Sequence, residues 1–436
     1  MTESSHYMSV RISALLLMLL LALPVVLSAQ SGYIEVTAPG NHQLKLAVDA
    51  PRSLDAAPIT DAAREMTEVI AFDMNMSGNV AAESRGQAVV PGVLSFGETD
   101  FSTWQNSGYD LLVRSEFTIK GDNLTVEFRL FDVITRKLLT SKRYLGKVKD
   151  LRRFAHSFSD EILLALTGER GCFTTHIGFV SNQSGNKEIY YMDWDGHNLL
   201  QLTRNGSINL NPDFSPDGRE IIFTSYKHGN PDLYKRALSH SVEVSISHRK
   251  GLNITGVWSP DGSKIALALS KDGDAEIYTI SRTGDNPQRL TVYPSIEVSP
   301  TWSPDGSQIA FVSDRFGKPQ IFVMAANGYN VRRLTTAGNY NGNPRWSPKG
   351  DRIAYARMQN GGFQIYTINV DGSGDTQLTS DGSSENPAWS PDGRFIAFSS
   401  KRGGVESIYV MRADGSGQTR VSQSKGNATQ PAWSAH

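Results

Sequence analysis

From Ile177 onward the apolar residues fall in short runs of four to six, bounded by Gly, Pro, Asn and Asp, and never settle into a helical period. Arg352-Ile353-Ala354-Tyr355-Ala356 and Gln364-Ile365-Tyr366-Thr367-Ile368-Asn369 are typical. Runs of this length and punctuation predict β-strands. Pro348-Lys349-Gly350 and Val370-Asp371-Gly372 read as tight turns, because Pro presets the first turn position and Gly accepts positive φ.

The runs repeat. A phrase close to Pro-x-aromatic-Ser-Pro-Asp-Gly places aromatics at Phe214, Trp258, Trp302, Trp346, Trp389 and Trp433, in steps of 44, 44, 44, 43 and 44 residues. Each repeat holds four strands, A to D, and a period of roughly 40–45 residues with strand content predicts a β-propeller, one blade per repeat. The phase of the ends is informative. The first repeat begins at strand B (Ile177-Gly178-Phe179-Val180) and has no strand A, whereas Pro431-Ala432-Trp433-Ser434 is a strand A with nothing after it. Pairing the two closes a six-bladed ring and leaves no exposed sheet edge. The repeated aromatics are expected in the inter-blade core, since they recur because the repeat recurs.

Residues 30–167 lack the repeat and alternate strand and helix patterns. Tyr33–Val36, Leu44–Val48, Leu111–Phe117, Leu124–Leu130 and a run ending at Tyr144 read as strands. Asp61–Met74 presents Ala63, Met66, Val69, Ile70 and Met74 on one helical face, and Leu151, Phe154, Ala155, Phe158, Ile162, Leu163 and Leu166 mark a second amphipathic helix. His156 falls on its polar side, as a solvated or structural residue. The predicted fold is therefore α+β and all-β: a small α/β domain over 30–167, a linker over 168–175, and a six-bladed propeller over 176–436.

The first 29 residues read differently. Arg11, an apolar run from Ala14 to Leu27 and the small residues Ser28 and Ala29 predict a cleaved secretory signal peptide, hence an exported protein. Cys172 is the one cysteine, so no intrachain disulfide is expected. A net charge of −1 gives no electrostatic basis for nucleic-acid binding.

No catalytic motif emerges. There is no Gly-x-Ser-x-Gly elbow, no paired-histidine spacing among the nine histidines, and no phosphate-binding glycine loop between a strand and a helix. A hydrolase domain after the propeller is not expected, because the last strand A reaches almost to His436. Asp193-Trp194-Asp195-Gly196 resembles the start of a calcium loop, but the twelfth position is Arg204 rather than Glu, so it reads as a C–D hairpin. Neither a metal nor a cofactor is expected, and no enzyme activity. Of the equivalent strand-A positions Asp213, Val257, Thr301, Arg345, Ala388 and Ala432, one is acidic, so no carboxylate cluster lines the channel.

A partner surface is better supported. The D–A connections enter the innermost strands and ring the central opening. Ile208 and Asn209, Leu252-Asn253-Ile254-Thr255, Ile296-Glu297-Val298, and Tyr340 and Asn341 put apolar residues there, a pattern expected of a protein interface. The B–C loops Tyr226-Lys227-His228 and Asp314-Arg315-Phe316 would form the outer rim.

The run Phe128-Arg129-Leu130-Phe131-Asp132-Val133, the helix Leu151-Arg152-Arg153-Phe154-Ala155-His156-Ser157-Phe158-Ser159-Asp160-Glu161-Ile162, and Leu166-Thr167-Gly168-Glu169-Arg170-Gly171 leading into Ile177-Gly178-Phe179-Val180-Ser181 resemble the TolB family. The resemblance covers essentially the whole chain beyond the signal peptide. It implies a periplasmic, monomeric, non-enzymatic scaffold of the Tol–Pal envelope system, serving outer-membrane integrity and constriction at cell division. It implies that the peptidoglycan-associated lipoprotein Pal sits over the propeller mouth, with peptidoglycan and the outer membrane engaged indirectly. It also implies a tether for TolA in the mature N-terminal segment, here including Tyr33, Ile34, Glu35 and Val36. An exported propeller enzyme, or a structural module with another envelope partner, remain the alternatives.

Overall fold

A computed structural model describes residues 43–54, 60–85 and 99–435. The expected signal peptide and the segment Tyr33–Val36 lie outside the described residues.

The α/β domain is one mixed sheet with helices on it. Strands β1 (Leu44–Asp49), β2 (Arg52–Ser53), β3 (Val80–Arg85), β4 (Leu111–Lys120), β5 (Asn123–Asp132) and β6 (Lys137–Lys147) form it in the order β3-β1-β4-β5-β6, with β2 beside β4. β1 runs parallel to β3 and β4, whereas β4, β5 and β6 are an antiparallel meander. Helices α1 (Thr60–Ser77) and α3 (Leu151–Thr167) cover one face. Met66, Val69, Ile70 and Met74 of α1 and Phe154, Phe158, Ile162 and Leu163 of α3 share a core with Val113, Val126 and Phe128 of the sheet. Phe101 and Trp104 of the short helix α2 (Phe101–Asn106) cover Ala47, Leu112 and Phe131 on the other face. Helix α3 ends at Gly168, whose φ of 76° is the left-handed cap that favours glycine.

The chain then enters the propeller without slack. Cys172, Phe173 and Thr175 are buried, and the Phe173 amide donates to Asp160 Oδ1 at 2.9 Å. Six four-stranded sheets follow. In the first blade the C-terminal strand Ala428–Trp433 pairs with His176–Ser181, in the register Ala432↔Gly178 and Trp433↔Ile177. The ring therefore closes as the phase of the repeats predicts. The recurrent aromatics are core. Trp258, for example, packs with Ile222 and Leu233 of the preceding blade and with Ile265 and Tyr278 of its own.

The α/β domain docks on the end of the ring that carries the A–B and C–D turns. From the end of the sixth blade's strand C, where its C–D turn begins, Arg412 donates to the carbonyls of Met76 (3.0 Å) and Asn75 (2.9 Å) at the end of α1. Arg394 pairs with Glu169 at 2.7 Å. Trp194, from the turn Asp193–Gly196, is fully buried against Phe72, Phe173 and Phe395. Gly196, at φ 93°, is required there, since a Cβ would collide with the Val421 carbonyl.

His156 corrects the sequence reading. It is 2% exposed, with Nδ1 2.8 Å from Asp73 Oδ2 and Nε2 3.3 Å from Asp195 Oδ2. Burial alone would strip its proton. The Asp73 charge, the nearby Asp195 carboxylate and the bond to Asp73 outweigh that and hold the imidazole up at about 10. The polar face of α3 is covered because the propeller lies on it.

Candidate protein-binding site at the propeller mouth

In every blade strand A begins with two paired residues, slips register over two unpaired residues, and then resumes pairing. The slips lie between Leu210 and Asp213, Ile254 and Val257, Val298 and Thr301, Gly342 and Arg345, Glu385 and Ala388, and Thr429 and Ala432. Each bulge holds one non-glycine residue at positive φ: Asn211, Thr255, Ser299, Asn343, Asn386 and Gln430, all between 52° and 54°. Such bulges re-aim side chains and recur beside functional sites. Here they turn a ring of polar side chains toward the axis, where they line a cavity of about 40 Å³.

The ring is hydrogen-bonded between neighbouring blades. The Asn211 amide donates to Gln430 Oε1 (2.8 Å), the Ser299 amide to Thr255 Oγ1 (3.3 Å), and Asn343 Nδ2 to Asn386 Oδ1 (2.9 Å). One ion pair crosses the axis. Arg345 Nη1 lies 3.3 Å from Asp213 Oδ1, although the two residues are 132 positions apart, three repeats, on opposite blades. Asp213 also accepts the Trp258 amide at 3.0 Å. Burial raises the Asp213 pKa, against the pull of Arg345. The one acid at the six equivalent strand-A positions is thus already partnered by a guanidinium, a poor arrangement for acid–base work on a substrate.

The D–A residues singled out in the sequence separate into two groups. Ile208, Ile296 and Tyr340 are exposed, at 46%, 54% and 39%, while Leu252, Ile254, Thr255 and Val298 are half-buried. Asn209, Asn253, Glu297 and Asn341 are buried. The three asparagine side chains clip one blade to the next, whereas Glu297 is held by Arg315 and Ser313 of its own blade. Asn209 Nδ2 donates to Glu188 Oε2 at 2.9 Å, and Asn341 Nδ2 to Gln320 Oε1 at 2.7 Å. Asn253 Oδ1 accepts from Ser247 Oγ at 2.6 Å, and Glu297 pairs with Arg315 and accepts from Ser313 Oγ. Burial raises the Glu297 pKa, with Thr291 and Arg315 opposing it.

Two exposed residues escaped the sequence reading: Val292 and Tyr293, in the connection from the third blade to the fourth. With Ile296 and the rim residue Phe316, also exposed, they make one apolar sector of the mouth. Arg315 organises it, its guanidinium 4.7 Å from the Tyr293 ring centroid and 4.9 Å from that of Phe322. The signal in the sequence was the apolar pair itself, sitting in a connection that the repeat makes a loop. Tyr340 is held edge-on to Phe363 at 5.4 Å.

Comparison with known proteins places this geometry in context. The profile described as TolB beta propeller domain matches residues 164–436, and that described as TolB amino-terminal domain matches residues 32–139. A Geobacter sulfurreducens protein named Tol-Pal system protein TolB is 57% identical over 214 residues, 49% of this chain and 50% of the relative. One of the same name from Geobacter metallireducens is 58% identical over 214 residues, with the same coverage of each chain. The matched stretch thus spans about half the length of these relatives. The crystal structure of TolB from Acinetobacter baumannii superposes with a TM-score of 0.79 at 24% identity, covering 91% of this chain and 98% of that one.

Proposed function

Because this chain belongs to the TolB family, we propose that it is a periplasmic, non-enzymatic scaffold of a Tol–Pal envelope system, and that its propeller mouth receives the peptidoglycan-associated lipoprotein Pal. In this reading the mouth controls how much Pal is free to grip peptidoglycan, and through that supports outer-membrane integrity and constriction at division. Residues 1–29 serve as the signal peptide, 30–167 and 176–436 are the two domains, and the segment containing Tyr33–Val36 is the tether for TolA.

One observation carries the proposal. The α/β domain docks through the A–B and C–D turns, whereas Ile208, Val292, Tyr293, Ile296, Phe316 and Tyr340 stay solvent-exposed at the other end of the ring. Apolar side chains gathered on a rigid collar, with their neighbours satisfied by internal bonds, are what a protein partner would desolvate. The half-buried Leu252, Ile254, Thr255 and Val298 form the inner wall, and the buried Asn209, Asn253, Glu297 and Asn341 hold the collar in shape.

A photo-crosslinking residue at position 340 tests the site in the cell. The expected result is an adduct with the peptidoglycan-associated lipoprotein that is absent when the same residue replaces Leu145, exposed on β6 of the other domain. Equal adducts at both positions, or none at 340, would remove the mouth from the proposal.

A further inference from the structure

The seam between α3 and the first blade carries a separate concentration of chemistry. His156 projects from α3, while Asp193 and Asp195 flank Trp194 in the turn that docks on it. One ring nitrogen and one oxygen from each carboxylate lie within 4.8 Å of one another. We infer that this seam is a binding site for one divalent transition-metal cation, ligated by His156, Asp193 and Asp195.

Three features support the assignment. First, His156 is oriented as a ligand. Its Nδ1 is fixed on Asp73 at 2.8 Å, and its buried Nε2 has no aligned hydrogen-bond partner, although Asp195 Oδ2 stands 3.3 Å away. A carboxylate on one ring nitrogen, with the second nitrogen turned toward the other donors, is the arrangement that orients metal-bound histidines. Second, there is room and access. A cavity of about 190 Å³ is lined by His156, Thr174, Thr175, His176, Asp193 and Asn198, with Lys149, Asp150 and Arg153 on its α3 side, and Asp195 stands behind His156 rather than on the cavity wall. Third, the donors suit the ion. One imidazole and two carboxylates match zinc-like cations better than the all-oxygen shells of calcium or magnesium. His176 Nε2, 3.5 Å from Asp193 Oδ1, is placed to become a fourth ligand.

The neighbouring cations set the position. Arg152 and His197 both engage Asp195, so the ion sits toward Asp193 and the cavity rather than deep against Arg152. On binding, the Nε2 proton of His156 leaves to solvent and the metal–nitrogen bond takes its place, while Nδ1 keeps its bond to Asp73. One ligand belongs to the α/β domain and two to the propeller, so the ion would staple the domains together.

Zinc titrated calorimetrically into the purified, chelator-dialysed protein tests this, in two buffers of different ionisation heat. The expected result is one site with micromolar or tighter affinity and about one proton released per ion. Asp193→Asn should weaken binding about 10-fold or more while leaving the chelated protein's melting temperature unchanged, and His156→Gln should weaken it at least as much. Absence of a one-site isotherm at about 100 µM zinc, or unchanged binding in both variants, would overturn the inference. The latter result would place the zinc on exposed histidines elsewhere.

Discussion

Thr255 shows how a single residue carries the geometry of the mouth. A β-branched side chain at φ 53° is strained, whereas three of its five counterparts, Asn211, Asn343 and Asn386, tolerate the same conformation better. Thr255→Asn should therefore raise stability by about 1 kcal/mol in a denaturant titration, since an amide oxygen can still accept the Ser299 amide. Asp160 makes a second residue-level argument, with a sign. Burial, with a further push from Asp73, raises its carboxyl to about 6 against a bond from the Phe173 amide. Its folded pKa lies above the unfolded 3.8, so its stabilisation is complete below about pH 4 and is lost as pH rises through about 6. The stability of the wild type relative to Asp160→Asn should fall by on the order of 3 kcal/mol between pH 4 and 7. A difference that stays flat over that range would mean the carboxyl ionises normally.

At the scale of elements, closure of the ring rests on Ala428–Trp433, the strand A that completes the first blade. Removing residues 430–436 takes Trp433 out of the core and exposes the edge of His176–Ser181. The truncated protein should lose more than about 5 kcal/mol, read as a large fall in melting temperature. An unchanged melting temperature would refute closure. This strand was legible because a repeat carries its own phase: a missing A at one end and a spare A at the other have one economical pairing. The helices α1 and α3 were legible from their apolar stripes. Strand β3 and helix α2 were not, because six residues give too short a period and β3 ends in three exposed positions. The outermost strands are short, as in Thr376–Gln377, which is paired on one side only and gives too brief a run to bound from sequence. His156, Ser159 and Asp160 show the deeper limit. Periodicity separates water from the core of one domain, and cannot see that a second domain covers the polar face of α3. Asn209, Asn253 and Asn341 illustrate the same limit: polar residues between strands look solvated until a neighbouring blade supplies their partners.

The whole molecule is a propeller held at one end by a domain and open at the other. Arg412 on the end of α1, Arg394 on Glu169, and Trp194 among Phe72, Phe173 and Phe395 make the first end a packed seam. At the open end the polar ring is bonded to itself and the apolar residues stand clear of it. This division of labour is the central claim, and affinity for a partner tests it most directly. Binding of the purified protein to the peptidoglycan-associated lipoprotein of the same cell should be measured by calorimetry, beside a variant with Ile208, Ile296 and Tyr340 changed to Ala. All three are exposed, so the variant should keep its fold and melting temperature. Micromolar or tighter binding by the wild type, weakened at least about 10-fold in the variant, is the predicted result, since burial of three apolar side chains is worth several kcal/mol. No binding by the wild type, or equal binding by the folded variant, would contradict it.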